Sequence, residues 1–462
     1  MNQSLSVESD GISPRGPVVW FEVEDFLRYF DHFRNPTGLQ RLPFEIFVEA
    51  ERLYGGAHVR FCRLSLYSGE LIPIEFAQIL EAYLHPPGAR APWQAIWGPA
   101  RLLSEPLAML PVIVRHPAFF LGLAKTALRD LLDKGLRRRR FEAVVRRGDM
   151  VVSLGAPWGV PRHIEHIAAA KRRHGIRYAF LIHDLIPLEH PSFVDARHVA
   201  QFRDWLARAL PHADAVLTVS KYSRKALQAL AGKANWRLPR VAALQPGASV
   251  SDGPVAGDAG TMRFPERFVL FVSTIEIRKN HRLLVRVWRR LVERHGADAV
   301  PALIFVGQIG WRVEDLLAEL AASDFLAGKI ELRRGLSDAE LRDAYRSCLF
   351  TVFPSLCEGW GLPVAESLAQ GKFCLASNRT SIPEVGGDLV DYFDPMDEDD
   401  ALAKIERALL ERGYLPAREA RVRAEYRPKS WADCVHTLLG ELAGDAPDRG
   451  AGHEAVGWAK AP

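Results

Sequence analysis

Phe268-Val269-Leu270-Phe271-Val272 runs into Ser273-Thr274-Ile275-Glu276-Ile277-Arg278-Lys279-Asn280, and then into a segment to Arg294 with Leu283, Leu284, Val287, Trp288 and Leu291 at helical spacing. The first five residues form a short apolar run ending at polar residues, the pattern of a buried strand. The last segment carries Arg282, Arg286, Arg289 and Arg290 on its opposite side, so it reads as an amphipathic helix with Asn280 as its expected N-cap. Outward from this unit the rhythm repeats. Strands are predicted at 302–306, 329–332, 349–353, 373–376 and 390–393, with helical patterns between them. Strand and helix in alternation predict a parallel sheet covered by helices on both faces. The first half repeats the theme with strands at 18–23, 59–66, 150–154, 178–182, 215–219 and 241–244, and helices at 163–173 and 222–230.

At 462 residues the chain is too long for one core, and two domains are expected. The predicted division is a disordered tail 1–16, a first Rossmann-like domain 17–250 with an insertion at about 69–148, and a linker 251–264. A second domain 265–428, a C-terminal helix 429–442 and a disordered tail 443–462 follow. The fold class is α/β, with two doubly wound domains facing each other across a cleft. Such sheets bind ligands beyond the carboxyl ends of their strands, so the loops there should hold the function.

Charged residues make up 25 % and hydrophobic residues 48 %, which excludes a disordered chain, a collagen-like fibre and a disulfide-stapled mini-protein. The net charge of +4 conceals +10 over residues 1–250 and −6 over 251–462, so the halves are expected to meet different partners. Residues 101–150 concentrate the positive charge, with Arg137, Arg138, Arg139 and Arg140 consecutive and Arg146 and Arg147 close by. Beside an amphipathic stretch this patch suits an anionic membrane surface; the alternative is a solvated helix face. It carries no nucleic-acid motif, so no nucleic-acid partner is expected. Cys62, Cys348, Cys357, Cys374 and Cys434 are scattered without a C-x-x-C pair, which predicts a reducing compartment and no structural zinc. Residues 1–14 lack the apolar core of a signal peptide, and Glu105, Arg115, Lys125, Arg129 and Asp130 interrupt the longest apolar stretch. A cytoplasmic protein is expected, peripheral at the inner face of the membrane if the basic patch binds lipid.

The densest chemical signal is Pro354-Ser355-Leu356-Cys357-Glu358-Gly359-Trp360-Gly361-Leu362-Pro363-Val364-Ala365-Glu366-Ser367. It follows a strand and opens a helix, with Pro363 suited to the first turn and Gly371 to the far end. With two glycines present, the backbone N–H groups of Gly359, Trp360, Gly361 and Leu362 can approach an anion at a helix N-terminus. Glu358 and Glu366 repel phosphate but accept hydrogen bonds from hydroxyls. A ligand bearing both phosphates and sugars, such as a nucleotide sugar, meets both demands. The competing reading makes Glu366 a favourable first-turn acid and Glu358 a solvated loop residue.

Ser273, Thr274, Arg278 and Lys279 end the first strand of the second domain, where both cations can stabilise a departing diphosphate. Alone they could be surface residues beside a cap. His183 and Asp184 follow the 178–182 strand, and Asn35-Pro36-Thr37-Gly38-Leu39-Gln40-Arg41 is a turn into a helix where Gly38 permits close backbone approach. Each of these is weak in isolation, the first against a satisfied loop histidine.

Together and in this order the segments resemble the GT-B glycosyltransferases of family 4, the retaining group that includes bacterial mannosyl- and rhamnosyltransferases of polysaccharide assembly. The resemblance is strong over roughly 265–395 and moderate over 17–66 and 150–250. Glu358 to Glu366 looks like the family's E-x7-E motif, whose first Glu approaches the donor sugar and whose second approaches the ribose. Ser273 to Asn280 looks like the diphosphate-binding segment of lipopolysaccharide O-chain mannosyltransferases. Residues 36–41 are similar to the glycine loop after the first strand, and His183 matches the cleft histidine against the donor sugar. Thr274 stands where many members carry Arg, so Arg278 is expected to supply that charge. Cys357 and Trp360 replace aromatic residues more usual there, which bears on donor preference.

The resemblance implies metal-independent sugar transfer with retained anomeric configuration, from GDP-mannose as first choice and a rhamnosyl donor next, to a glycan or lipid-linked acceptor. The assigned roles are Glu358, His183, Lys279 and Arg278 in catalysis; Glu366, Gly359, Trp360, Gly361, Leu362, Ser273 and Thr274 on the donor; and Thr37 and Gly38 in the acceptor or phosphate loop. No cofactor and no metal ligand are expected, Asp397, Asp399 and Asp400 reading as an acidic helix start. A nucleotide-sugar epimerase of the same fold and an inactive glycosyltransferase-like scaffold are the alternatives. A nicotinamide dehydrogenase is disfavoured for want of G-x-G-x-x-G between strand and helix.

Overall fold

The computed structural model describes residues 17–33, 36–65, 68–86, 141–248, 263–310 and 312–443. The expectations for the tails, for most of the 69–148 and 251–264 stretches and for Arg137 to Arg140 lie outside those residues.

Within them are two doubly wound α/β domains. The first has a seven-stranded sheet in the order β3-β2-β1-β4-β5-β6-β7, built from β1 (Val19–Glu22), β2 (Val59–Leu64), β3 (Leu71–Ile74), β4 (Met150–Ser153), β5 (Arg177–Ile182), β6 (Ala215–Thr218) and β7 (Arg240–Ala243). The second has six strands in the order β10-β9-β8-β11-β12-β13, from β8 (Phe268–Val272), β9 (Ala302–Val306), β10 (Ile330–Arg333), β11 (Thr351–Phe353), β12 (Cys374–Ser377) and β13 (Asp391–Phe393). The expected fold class is therefore the observed one. In each sheet the strand order reverses beside the first strand, between β1 and β4 and between β8 and β11, and a doubly wound sheet opens a crevice at that point.

The central strands β1, β4, β6 and β11 are buried along their whole length because helices cover both faces. Val19 and Phe21 of β1 enter one core with Val152, Leu181 and Leu217, while Val18 and Trp20 enter the core on the other face with Val151, Phe180 and Val216. Val269 and Phe271 are divided in the same way from Phe268 and Leu270. This two-residue alternation pins the register of both first strands, and so the height at which their loops emerge.

The helix His281–His295 buries Leu283, Leu284, Val287, Trp288 and Leu291, each worth on the order of 2 kcal/mol. Its outer arginines pair with neighbours: Arg289 with Glu319, and Arg286 and Arg290 with Glu398. Asn280 is the N-cap residue, as expected, but its side chain makes no cap hydrogen bond. It sits in the left-handed region (φ 60°), and its side-chain amide instead donates to the carbonyls of Pro395 (2.9 Å) and Pro354 (3.3 Å), tying the loop after β8 to the loops after β11 and β13.

Two departures concern domain limits. Residues 71–84, inside the stretch read as an insertion, extend the first domain itself: β3 pairs antiparallel with β2, and the helix Phe76–Leu84 brings Tyr83 against Phe26, Phe30 and Phe44. A four-residue strand interrupted by Pro73 gives little periodicity to read, and proline is tolerated there because β3 is an edge. The last described helix, Trp431–Ala443, returns to the first domain. Cys434, Val435, Leu438, Leu439 and Leu442 enter the same core as Phe47, and Tyr54 Oη meets His436 Nδ1 at 2.5 Å. Among the described residues no helix is long and apolar enough to cross a membrane.

Candidate active site

The turn from β11 into the helix Leu362–Ala369 is shaped by its glycines and held from two sides. Gly361 adopts φ +121°, a conformation L side chains rarely take, and Pro363 lies in the helix's first turn. On one side the Leu356 N–H donates to the Arg278 carbonyl at 2.8 Å. On the other, the Glu358 N–H donates to Thr380 Oγ1 (2.9 Å), while Ser381 Oγ donates to the Glu358 (2.9 Å) and Trp360 (2.8 Å) carbonyls. Thr380 is itself at φ 55°, a conformation costly for a β-branched residue.

This scaffold fixes Glu358 among donors. Its Oε1 accepts from Lys279 Nζ and from Ser355 Oγ, each at 2.5 Å, and its Oε2 accepts from Arg278 Nη1 at 2.9 Å. Arg278 also donates to the Cys357 carbonyl (3.0 Å) and pairs with Glu276 (2.8 Å). Glu358, Lys279 and Ser355 are buried. Burial alone would raise the Glu358 carboxyl, but Lys279 and Arg278 overcome it and hold the group at about 2. Lys279 is depressed by burial and by Arg278 beside it, opposed by Glu358. A buried, ionised pair is sustained here by three donors on one carboxylate.

Glu366 lies on the following helix and is buried. Tyr345 Oη donates to its Oε2 at 2.8 Å, and Arg41 Nη1 stands 3.4 Å from its Oε1. Arg41 belongs to the helix Gly38–Tyr54 of the first domain, so this ion pair crosses the cleft. It also faces Asp338 at 3.8 Å.

His183 follows β5 at the carboxyl edge of the first sheet. Its Nε2 lies 2.7 Å from the Leu154 carbonyl, which can only accept, so Nε2 carries the proton and Nδ1 is left as an acceptor. Burial pushes this imidazole down to about 4, against the carbonyl bond. Asp184 is raised by burial, opposed by Arg278. The two domains meet here: a Cβ built on Gly359 would stand 1.9 Å from the His183 carbonyl oxygen. Trp360 packs its ring against the first domain's core. Glu384 accepts the Lys221 (2.9 Å) and Tyr222 (2.5 Å) N–H groups at the start of the helix Lys221–Ala234, across the same cleft.

Glu358, Lys279, Arg278, His183 and Gly359 thus form one connected cluster, with Glu366 a helix turn or two away. Ser273 is buried, its hydroxyl 3.3 Å from buried His281 Nε2. Thr274 turns its methyl toward Gly310, where a Cβ would stand 2.8 Å away. Thr37 is spent as the cap of the helix Gly38–Tyr54, accepting from the Leu39 N–H and closing a capping box with Gln40. A Cβ built on Gly38 would meet Leu362 Cδ1 at an ordinary 3.9 Å, so nothing there requires a glycine. Arg41, quoted in the same turn but given no role from sequence, is the residue of that segment that crosses the cleft.

Other members had weaker signals. Ser355 lay inside the quoted motif as one serine among loop residues, and Glu384 follows a proline in an unremarkable helix start. The first domain also hides a polar network at the ends of β1 and β4: Ser153 Oγ donates to Glu22 Oε2 (3.0 Å), and His163 Nε2 meets the same oxygen at 3.2 Å, all fully buried. In sequence Glu22 was one acid closing an apolar run. Among the described residues no group of three or more His, Cys, Asp or Glu side chains is arranged to hold a metal ion.

Residues 263–429 match the family model described as glycosyl transferases group 1. Over 260 residues the chain is 29 % identical to O-antigen chain mannosyltransferase B of Escherichia coli, covering 55 % of this chain and 66 % of that one. Over 175 residues it is 30 % identical to the serotype-specific mannosyltransferase WbdA of Escherichia coli, covering 38 % and 21 %. The match thus spans just under two thirds of the first relative's length and about a fifth of the second's. Among solved structures the chain is similar to an apo structure of OtsA, with a TM-score of 0.57 at 12 % identity over 94 % of this chain and all of that one. The fold is GT-B. O-antigen mannosyltransferases are among its relatives.

Proposed function

We propose that the chain is a retaining, family 4-type glycosyltransferase that moves a sugar from a nucleotide-sugar donor to a growing, lipid-linked polysaccharide or oligosaccharide acceptor. Mannose from GDP-mannose is the first choice. The observation that carries this reading is Glu358, anchored at a strand-to-helix turn by Lys279 and Arg278, with Glu366 on the adjoining helix. Two carboxylates for hydroxyls, two cations and a run of loop amides for phosphates are the chemistry a nucleotide sugar demands. The names of the mannosyltransferase relatives support the sugar.

In this mechanism Lys279, Arg278 and the amides from Gly359 to Leu362 stabilise the diphosphate as its bond to the sugar breaks. Glu358 and His183 position the sugar. Glu358 is held by Lys279, Ser355 and Arg278 at 2.5 to 2.9 Å, and preorganised electrostatics of this kind is usually the largest catalytic term. The positive charge for the leaving group comes from side chains, and no cofactor or metal is invoked. The acceptor would sit against the first domain, at the inner face of the cytoplasmic membrane if Arg137, Arg138, Arg139 and Arg140 bind anionic lipid. Liposome co-sedimentation of the Arg-to-Ser variants of those four residues checks that part.

The central test is calorimetry or saturation-transfer NMR against a panel of nucleotide sugars, GDP-mannose first, followed by product analysis with a lipid-linked acceptor. Binding, and transfer with retained anomeric configuration, are expected. A chain that binds neither nucleotide sugars nor nucleotides is not a glycosyltransferase, and a free-sugar product without acceptor would make it an epimerase or hydrolase.

A further inference from the structure

Arg41 is poorly placed for a permanent partner. Its distances of 3.4 Å to Glu366 and 3.8 Å to Asp338 exceed hydrogen-bonding range, whereas the cations on Glu358 lie at 2.5 and 2.9 Å. The Arg41–Glu366 contact is held by charge more than by a directed bond, and its side chain is only 19 % exposed. Glu366 presents Oε2 to Tyr345 and Oε1 to Arg41, so Oε1 is the atom an incoming hydroxyl must claim. A Cβ built on Gly38 would stand 3.9 Å from Leu362 Cδ1, and Arg41 follows about one turn later on the same helix, so the head of that helix faces the start of the helix Leu362–Ala369, where the loop amides proposed for the diphosphate end.

We propose that Arg41 exchanges partners when a donor binds, releasing Glu366 to the nucleotide's sugar hydroxyls and moving to the donor's diphosphate. The inference rests on the glycosyltransferase reading above and extends it to a residue of the acceptor-side domain. The charges of the cleft are paired with one another: Arg41 with Glu366 and Asp338, Arg278 with Glu276 and Glu358, and Lys279 with Glu358. A diphosphate brings negative charge and a nucleoside brings hydroxyls, so both halves of each ion pair acquire a new partner in one event. Because Arg41 comes from the first domain and Glu366 from the second, the exchange trades one interdomain contact for another routed through the ligand. Closure over the donor then depends on a diphosphate being present.

The test is calorimetric titration of the wild-type chain, Arg41→Ala and Arg41→Lys with GDP and UDP and with guanosine and uridine. For whichever base the wild type binds, Arg41→Ala should weaken the nucleoside diphosphate about tenfold, the worth of one charge-assisted contact. It should leave the nucleoside as tight or tighter, because Glu366 Oε1 is freed. Arg41→Lys should fall between the two, and it carries the same comparison if the alanine variant does not fold. Equal changes for diphosphate and nucleoside, or none, would overturn the exchange while leaving the glycosyltransferase reading intact. A wild-type chain that binds neither ligand removes that reading, and the exchange with it.

Discussion

Gly359 of the second domain and His183 of the first are in backbone contact across the cleft, with room for hydrogen and no more: an added Cβ would lie 1.9 Å from the His183 carbonyl oxygen. The glycine is required by this approach, which brings the Glu358 loop against the His183 loop. Gly359→Ala should therefore push the two loops apart while leaving each domain folded. A displacement of about 1 Å at reacting groups can cost on the order of a hundredfold in rate, and a loss of that size in kcat is expected with an unchanged circular dichroism spectrum. An alanine variant with wild-type turnover would mean that the contact is not maintained in the working enzyme.

Glu358 and Lys279 should behave as a unit in stability as well as activity. Removing one partner strands the other charge in a buried site, at a cost of about 3 to 5 kcal/mol, whereas removing both strands less. Urea unfolding of Glu358→Gln, Lys279→Met and the double variant should give a double-mutant loss well below the sum of the singles. All three should lose transfer activity. Strict additivity in the unfolding data would show that the pair is screened rather than buried.

Glu384 holds the domains together by a different device, a carboxylate from one domain on two N–H groups at the head of a helix in the other. Removing such a cap costs about 1 kcal/mol, small against the stability of either domain but all of it borne by the interface. Glu384→Ala should thus widen the distribution of domain separations without unfolding either domain. Small-angle scattering reads this as a larger radius of gyration, and an unchanged radius would mean that Glu384 does not hold the domains together.

The parts of this architecture that could be read from sequence are those with local causes. The β8 strand and the helix His281–His295 follow from side-chain periodicity, and the turn after β11 follows from glycines and a proline at fixed offsets. Glu358, Lys279 and His183 were reachable because they end strands of a recognisable doubly wound sheet. What sequence did not disclose is pairing at long range. That Arg278 and Lys279 turn onto Glu358, that Arg41 reaches Glu366, and that Trp431–Ala443 belongs to the first domain's core all depend on how the chain returns on itself. Asn280 stands at the N-cap its type favours, but its side-chain amide goes to the Pro354 and Pro395 carbonyls, a tertiary pairing that its sequence neighbourhood does not show.

His183 offers a prediction in which protonation and mechanism can be separated. Burial holds the folded-state imidazole at about 4, while in the unfolded chain it titrates near 6.5. As pH falls from about 6.5 toward 4 the unfolded state takes up the proton first, so the stability tied to a neutral His183 is complete above 6.5 and drains away across that interval. His281, held at about 3 by burial and Lys279, acts in the same direction, so the total profile does not isolate either group. The difference between wild type and His183→Asn does: the melting-temperature gap should be constant above about pH 6.5 and should narrow below it. Because the neutral ring donates through Nε2 to Leu154, its Nδ1 is left as an acceptor and the ring carries no charge near neutrality. The wild-type kcat/KM should accordingly show no histidine inflection between about pH 5.5 and 7.5. An inflection near 6.5 that disappears in His183→Asn would mean the imidazole is solvated and cationic during turnover, and the assignment of a neutral hydrogen-bond acceptor would have to be abandoned.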